Sequence, residues 1–303
     1  MFLITRHHFL LLLTLTIQYT KQEATILCKQ VPELSILPGL GIDPLTGKYT
    51  NRILKMTYNQ CKLTDNGNNL IPDNVEIEKL NTTEITAMVI KNWLNYTSLT
   101  TKFQETDKSY YSFSEEYQEM KSLQIKHRAF TCRSQLSRTN YRLNLLSDSI
   151  TTTLETRFSH IVHAIQRNQT KKAKYLIQMI IRDYGTHYTT CVDVGNMFIK
   201  QDYLRNDFLL RRVNQEELIT ESKLSLLETV RLIRGDEHDL ESSLLSEYND
   251  AIVQTKLTQA FIVERSVSVL TNLITTTNFP DAPTLVRIKI RDMLDESIKT
   301  YFR

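Results

Sequence analysis

Ile180-Ile181-Arg182-Asp183-Tyr184-Gly185-Thr186-His187-Tyr188-Thr189-Thr190 is the stretch that decides the fold. Upstream of it, Ala173, Leu176, Ile177, Ile180, Ile181 and Tyr184 recur at helical spacing and share one face. Gly185 ends that helix. The residue past a last helical turn is often left-handed, and glycine adopts that backbone without a Cβ clash. Downstream the period changes to two: Tyr188, Thr190, Val192 and Val194 fall on one side of a strand. The segment reads helix, corner, strand. His187 is either a catalytic or metal-binding imidazole or a corner residue whose ring is hydrogen-bonded into the turn. No second His, Cys or carboxylate lies at ligand spacing, which favours the turn. Neither a metal nor a cofactor is expected.

Working outward, Ala129 to Leu145 is a strand. Phe130, Cys132, Ser134 and Leu136 alternate on one face, then Tyr141, Leu143 and Leu145 alternate on the other parity. That switch implies a bulge or strong bend, or a short loop between two strands. Leu154, Phe158, Ile161, Val162 and Ile165 mark a helix ahead of the central one. Ile85, Met88, Val89 and Trp93 predict another over Glu84 to Asn95. From Asp202 to Tyr248, Leu204, Phe208, Leu209, Val213, Leu226, Leu227, Val230 and Ile233 predict amphipathic helix broken near Gly235. Pro283 suits the first turn of a last helix with Leu285, Ile288, Met293, Leu294 and Ile298 on its buried face.

Phe103 to Lys126 has two readings. At helical spacing, Phe103, Tyr110, Phe113, Tyr117 and Met120 form one stripe. At strand spacing the alternation is partial, clearest at Leu123-Gln124-Ile125. Such a stretch packs as an amphipathic helix in water. Unfolded to a hairpin, it presents one face to lipid and one to a wet lumen.

The chain has 303 residues, an ordinary apolar fraction and a net charge of +3. Its basic residues are dispersed, so no nucleic-acid partner is implied. Met1 to about Thr20, with a basic start at Arg6, His7 and His8 and an apolar core from Phe9 to Ile17, reads as a secretory signal. The remainder, 21–303, reads as one domain, with no stretch apolar and long enough for a transmembrane helix. Secretion permits disulfides between Cys28, Cys61, Cys132 and Cys191. Cys132 and Cys191 either pair across a sheet or stand apart as buried thiols. Asn81, Asn95 and Asn168 head glycosylation sequons, although Asn81 with Glu84 also reads as a helix-capping pair. Gly41 to Lys48 departs from a phosphate-binding loop in its glycine spacing and in Tyr49. No hydrolase or metalloprotease motif occurs, so the chain is not expected to be an enzyme and no small-molecule substrate is implied.

Tyr184-Gly185-Thr186-His187-Tyr188 after an amphipathic helix resembles the signature of the membrane attack complex/perforin (MACPF) family. Leu37-Pro38-Gly39-Leu40-Gly41-Ile42-Asp43, Met56-Thr57-Tyr58-Asn59-Gln60-Cys61-Lys62, Ile71-Pro72-Asp73, Met120 to Lys126 and Asn278-Phe279-Pro280-Asp281-Ala282-Pro283 are similar, in order, to stretches of its perforin-2 branch. The resemblance implies an α+β fold of the MACPF/cholesterol-dependent-cytolysin kind: a bent antiparallel sheet with flanking helical clusters. It implies a Cys28–Cys61 disulfide. It makes Phe103, Tyr110, Phe113, Tyr117, Met120, Leu123 and Ile125 candidate membrane-inserting residues. The function it implies is a secreted or endosomal/lysosomal-lumen pore former in immune defence. Such a protein oligomerises with itself or with full-length relatives and inserts β-hairpins into a lipid membrane. Two departures stand out. No Gly-Gly pair precedes the last long strand, and the pattern is shortened around 248–260. The chain also stops at Arg303, where the family domain ends. Both favour the alternative of a truncated, non-lytic module that binds or regulates full-length relatives.

Overall fold

The computed structural model describes residues 31–34, 37–96, 101–103, 112–146, 154–167, 170–211, 214–235, 245–270, 273 and 292–299. The expected signal segment, Cys28, Asn168 and Tyr110 lie outside these residues. Four long antiparallel strands form the frame, in the order β5 (Val75–Ile90), β7 (Ala129–Leu145), β8 (His187–Arg205) and β9 (Ile252–Val269). With 16 to 19 residues each, at about 3.3 Å per residue they are on the order of 55–60 Å long. Beyond the start of β7's pairing, β8 pairs through His187 and Tyr188 with β1 (Leu40–Asp43), which carries β2 (Lys48–Arg52). The short β6 (Thr101–Phe103) runs parallel to the end of β9. A separate two-stranded ribbon joins β3 (Lys62–Leu63) to β4 (Leu70–Ile71).

The sheet bends along one line that crosses every long strand. Leu80 and Asn81 on β5 oppose the single Asn140 on β7, and Asn81 takes a φ of 50°. Asn140 is skipped again in the pairing of β7 with β8, between Thr139 and Tyr141. Between β8 and β9 the register slips between Asp193 and Met197. Bulges increase twist and bend the strand that carries them, so a row of them folds the sheet. Of the two sequence alternatives, one strand with a bulge is the observed one. Gly195 lies in this row. A Cβ there would stand 1.9 Å from the Arg138 carbonyl oxygen, so β7 and β8 approach there as only glycine allows.

Helices α2 (Thr156–Arg167) and α3 (Thr170–Tyr184) pack on the half of the sheet nearest the corner. Their faces bury Phe158, Val162, Ile165, Ala173, Ile177 and Ile180 against Leu143 and Tyr188 of the sheet. Leu294, from the helical turn over 292–299, closes the same core. Pro283 lies outside the described residues.

Three expectations are corrected. Residues 84–90 are the end of strand β5, not the start of a helix; only the short turn Trp93–Asn95 is helical. Asn81 and Glu84 therefore do not form a helix cap; Asn81 is an exposed bulge residue. Strand β8 continues through Asp202 to Arg205, and helix begins only at Asn206.

Candidate functional site

At the corner, α3 ends where the sequence places it. Gly185 has a φ of 76° and its N–H donates to Ile181 O at 2.9 Å. A Cβ on Gly185 would meet Ile42 O at 2.1 Å, and one on Gly41 would meet Tyr184 O at 1.9 Å. Two glycine-bearing stretches far apart in the sequence thus touch backbone to backbone. Thr189 ties them further: its Oγ1 donates to Leu40 O at 3.1 Å, and its carbonyl accepts from Gly39 N at 2.7 Å. Tyr184 packs edge-on against Phe158 with ring centroids 4.9 Å apart. His187 is 3% exposed, with Nδ1 2.8 Å from Thr186 Oγ1. Burial pushes its pKa down to about 4, so the ring is neutral at pH 7. The corner reading of His187 holds. Among the described residues no group of three or more His, Cys, Asp or Glu side chains is arranged to hold a metal ion.

Two helical clusters occupy the opposite end of the sheet. The first lies in the segment that joins β5 to β7, apart from β6, which runs beside β9. It contains the 3-10 turn Trp93–Asn95 and α1 (Glu115–His127). Ser114 caps α1 by accepting from Tyr117 N at 3.2 Å, and acidic Glu115 and Glu116 open it while Lys126 and His127 close it, as the helix dipole favours. Met120 is fully buried with Ile90, Tyr96, Ala129 and Tyr203, and Tyr117 and Leu123 pack against them. Gln124 Nε2 donates to Ile90 O (3.0 Å) and to Thr131 Oγ1 (2.9 Å). Beneath the helix lies Arg133, 1% exposed, which donates to Tyr96 OH at 3.1 Å and lies 3.6 Å from Glu116. Glu119 of α1 also pairs with Lys256 of β9.

The expected single stripe from Phe103 to Met120 is not one helix face. Phe103 belongs to β6, Tyr110 is outside the described residues, and α1 starts only at Glu115. Phe113 (66% exposed) and Ile125 (62%) face solvent, whereas Tyr117, Met120 and Leu123 face the core.

The second cluster, residues 206–251, joins β8 to β9 on the other face of the sheet. It comprises α4 (Asn206–Arg211), α5 (Gln215–Arg234) and α6 (Ser246–Ala251). Gly235 ends α5 in the left-handed conformation, where the sequence places the break. Phe208, Leu218, Leu245, Tyr248 and Ala251 bury Phe130, Cys132 and Leu204 of the sheet. Within this apolar contact sits a charged latch. Asp202, fully buried, accepts from Tyr248 OH (3.1 Å) and Thr255 Oγ1 (2.6 Å) and lies 3.2 Å from Lys200 Nζ, which also donates to Ser225 Oγ of α5. Sequence reasoning missed this group. Its signal was Lys200-x-Asp202, opposite charges on one face of a buried strand.

Cys132 and Cys191 are free thiols on β7 and β8 and do not pair with each other. Burial pushes the Cys132 thiol up to about 12 and that of Cys191 up to about 11. Cys61 is disulfide-bonded. Asn81 and Asn95 are exposed.

A bent four-stranded sheet, with one helical cluster between its first two strands and one between its last two, defines an α+β class. The MAC/Perforin domain model matches residues 30–272, and the chain belongs to that family. GNIP1Aa from Chromobacterium piscinae has a similar fold, with a TM-score of 0.60 at 10% identity, over 90% of this chain and 57% of that one. Astrotactin-2, a perforin-like membrane protein of vertebrates involved in neuronal development, is similar at a TM-score of 0.49 and 14% identity, over 88% of this chain and 46% of that one. A putative cell invasion protein with a MAC/Perforin domain from Bacteroides thetaiotaomicron is similar at 0.42 and 9% identity, over 88% and 62%. The chain therefore spans less than two thirds of each of these structures. The perforin-2 branch is not singled out among them. No helix among the described residues is long and apolar enough to cross a membrane, which says nothing of strands.

Proposed function

We propose that the protein is a pore former of the perforin type, whose subunits assemble side by side and whose two helical clusters refold into membrane-spanning β-hairpins. One observation carries this reading. Both clusters hang from the same end of the sheet, and each bridges two adjacent antiparallel strands, β5–β7 and β8–β9. Extending those strands through residues 91–128 and 206–251 prolongs ladders that already exist. A spanning β-strand needs about 9–11 residues, and both segments exceed twice that. Burial of apolar side chains in lipid, together with closure of the strand ladder, would drive the step. The perforin-2-type secreted or vesicle-lumen immune effector, with a Cys28–Cys61 bridge and glycans on Asn81, Asn95 and Asn168, is the specific form that the sequence resemblance favours.

The test is dye release from liposomes by the purified chain, at neutral and acidic pH, with electron microscopy of the same samples. Release accompanied by rings is the expected result. A folded monomer that never releases dye refutes it and leaves the non-lytic module. The observation favouring that second reading is that no glycine pair stands ahead of β9 (Ile252–Val269). Binding to a full-length relative in a pull-down is its own requirement.

A further inference from the structure

The end of the sheet from which the first cluster hangs carries exposed cations around exposed apolar side chains. Residues Lys121 and Ile125 are one helical turn apart on the outer face of α1, and Arg128 follows at its cap. The adjoining turn adds Lys91 and the 63%-exposed Leu94. Its Trp93 receives Lys121, with Nζ 5.4 Å from the ring centroid, and Gln124 ties α1 to Ile90 beside Lys91. Exposed Lys126 completes the rim. Apolar tips thus stand within a ring of cations. The acidic residues of α1 are at its other end or engaged: Glu115 with Lys48, Glu116 with Arg133, Glu119 with Lys256. Next to the rim, Arg205 of β8, opposite Ala129, pairs with Asp207, which Arg211 of α4 also engages. On the opposite face the described part of the second cluster is mixed in charge, showing Glu216, Glu217, Glu247 and Asp250 together with Arg231 and Arg234.

The backbone at Arg128 adds an independent observation. It caps α1 with a φ of 48° and a ψ of 49°, a left-handed conformation that glycine fills at lower cost. An arginine held there sacrifices stability and projects an exposed guanidinium at the rim.

We infer that this rim, formed by Lys91, Leu94, Lys121, Ile125, Lys126 and Arg128, is a docking surface for an anionic lipid bilayer, engaged while the first cluster is still helical. Cations meet the lipid headgroups, and Leu94 and Ile125 enter the interface. The orientation rests on the pore-forming reading, because it sets the hairpin-bearing end of the sheet on the membrane. It gives that reading an ordered first step, capture by charge before refolding.

Co-sedimentation of the full chain with vesicles tests the inference, using phosphatidylcholine alone and phosphatidylcholine with about 30% phosphatidylserine, at low and high salt. Each cation near an anionic surface changes partitioning by about fivefold. The wild type is expected on the anionic vesicles only, and less at high salt as screening shortens the reach of the charges. Arg128→Gly is expected to bind about fivefold less while melting at the same or a higher temperature, because glycine relieves the left-handed strain. Lys91→Gln with Lys126→Gln is expected to lose about 25-fold, and Lys174→Gln, on α3 away from the rim, to lose nothing. Equal binding to neutral vesicles, or rim variants that bind like the wild type, overturns the inference. Dye release read in the same tubes separates it from the pore reading. Release without a charge dependence sinks the docking surface alone. Charge-dependent binding without release supports the docking surface and sinks the pore.

Discussion

Acid should loosen the corner through His187. In the folded chain this imidazole is 3% exposed and its pKa falls to about 4, because burial penalises the charged ring. Unfolded, it titrates near 6.5. The folded state therefore binds fewer protons than the unfolded state between these values. The stability that the neutral ring secures is complete above pH 6.5 and drains as pH falls towards 4. Linkage over that window gives a loss of about 2 kcal/mol between pH 7.5 and 5, approaching about 3 kcal/mol near pH 4. The loss is local in origin: His187 pairs with Ile42 of β1 and with Val269 of β9. Urea denaturation at pH 7.5 and 5 measures it, and His187→Gln provides the subtraction, since every other titrating group is retained. The wild type should lose about 2 kcal/mol more than the variant. An equal loss in both, or an NMR titration placing the His187 ring near 6.5, refutes the argument.

Gly195→Ala should destabilise the fold by about 2–4 kcal/mol, because the added methyl collides with the Arg138 carbonyl in the row of bulges; an unchanged melting temperature would mean that the bend relaxes freely. Cys132 should resist iodoacetamide at pH 8 in the folded protein, being buried under the second cluster with its thiol pushed up to about 12. On the proposed mechanism the thiol becomes reactive when lipid releases that cluster, and mass spectrometry would show labelling with and without vesicles. Asp202→Asn should cost about 3 kcal/mol, since it leaves Lys200 buried without its anion; a loss below 1 kcal/mol in urea denaturation would show that the pair is better hydrated than its burial implies.

The corner was legible because each signal there is local. Helical spacing up to Tyr184, a left-handed Gly185 and period-two spacing afterwards follow from backbone sterics alone. The bulge in β7 was legible too, as a parity change between Leu136 and Tyr141 that the skipped Asn140 accounts for. The end of β5 was not. Its Val89 faces the second cluster while Met88 and Ile90 face the first, so both faces are covered and the apolar/polar alternation disappears. The residual spacing of Ile85, Met88, Val89 and Trp93 then imitates a helix. Residues 200–205 failed for the same reason: a strand covered on both sides, with Lys200 and Asp202 inside, has no exposed face to announce its period. The opposite placement of the two clusters is a tertiary fact that no local pattern carries.

Charge under both clusters bears on how tightly they hold. Apolar contact alone would weld α1 and α5 to the sheet, and a welded helix does not refold. Here each contact also covers ions, Arg133 beside half-exposed Glu116 on one face and the buried pair Lys200 and Asp202 on the other. Among the described residues, Arg133 Nε and Ser134 Oγ lack a hydrogen-bond partner in these interfaces. A buried ion pair recovers little beyond its desolvation cost, whereas removing one partner exposes the full penalty. On the proposed mechanism, release of a cluster hydrates these groups, and that gain offsets part of the lost apolar burial. Replacing the latch by Lys200→Met, Asp202→Leu and Tyr248→Phe together, which takes away the Tyr248 hydroxyl along with both ions, removes the gain. The triple variant should be at least as stable as the wild type to urea, in contrast to Asp202→Asn. It should release dye from anionic vesicles more slowly at equal bound protein, by about tenfold for each 1.4 kcal/mol added to the barrier. A triple variant that is stable and releases dye at the wild-type rate would show that the latch takes no part in the conversion.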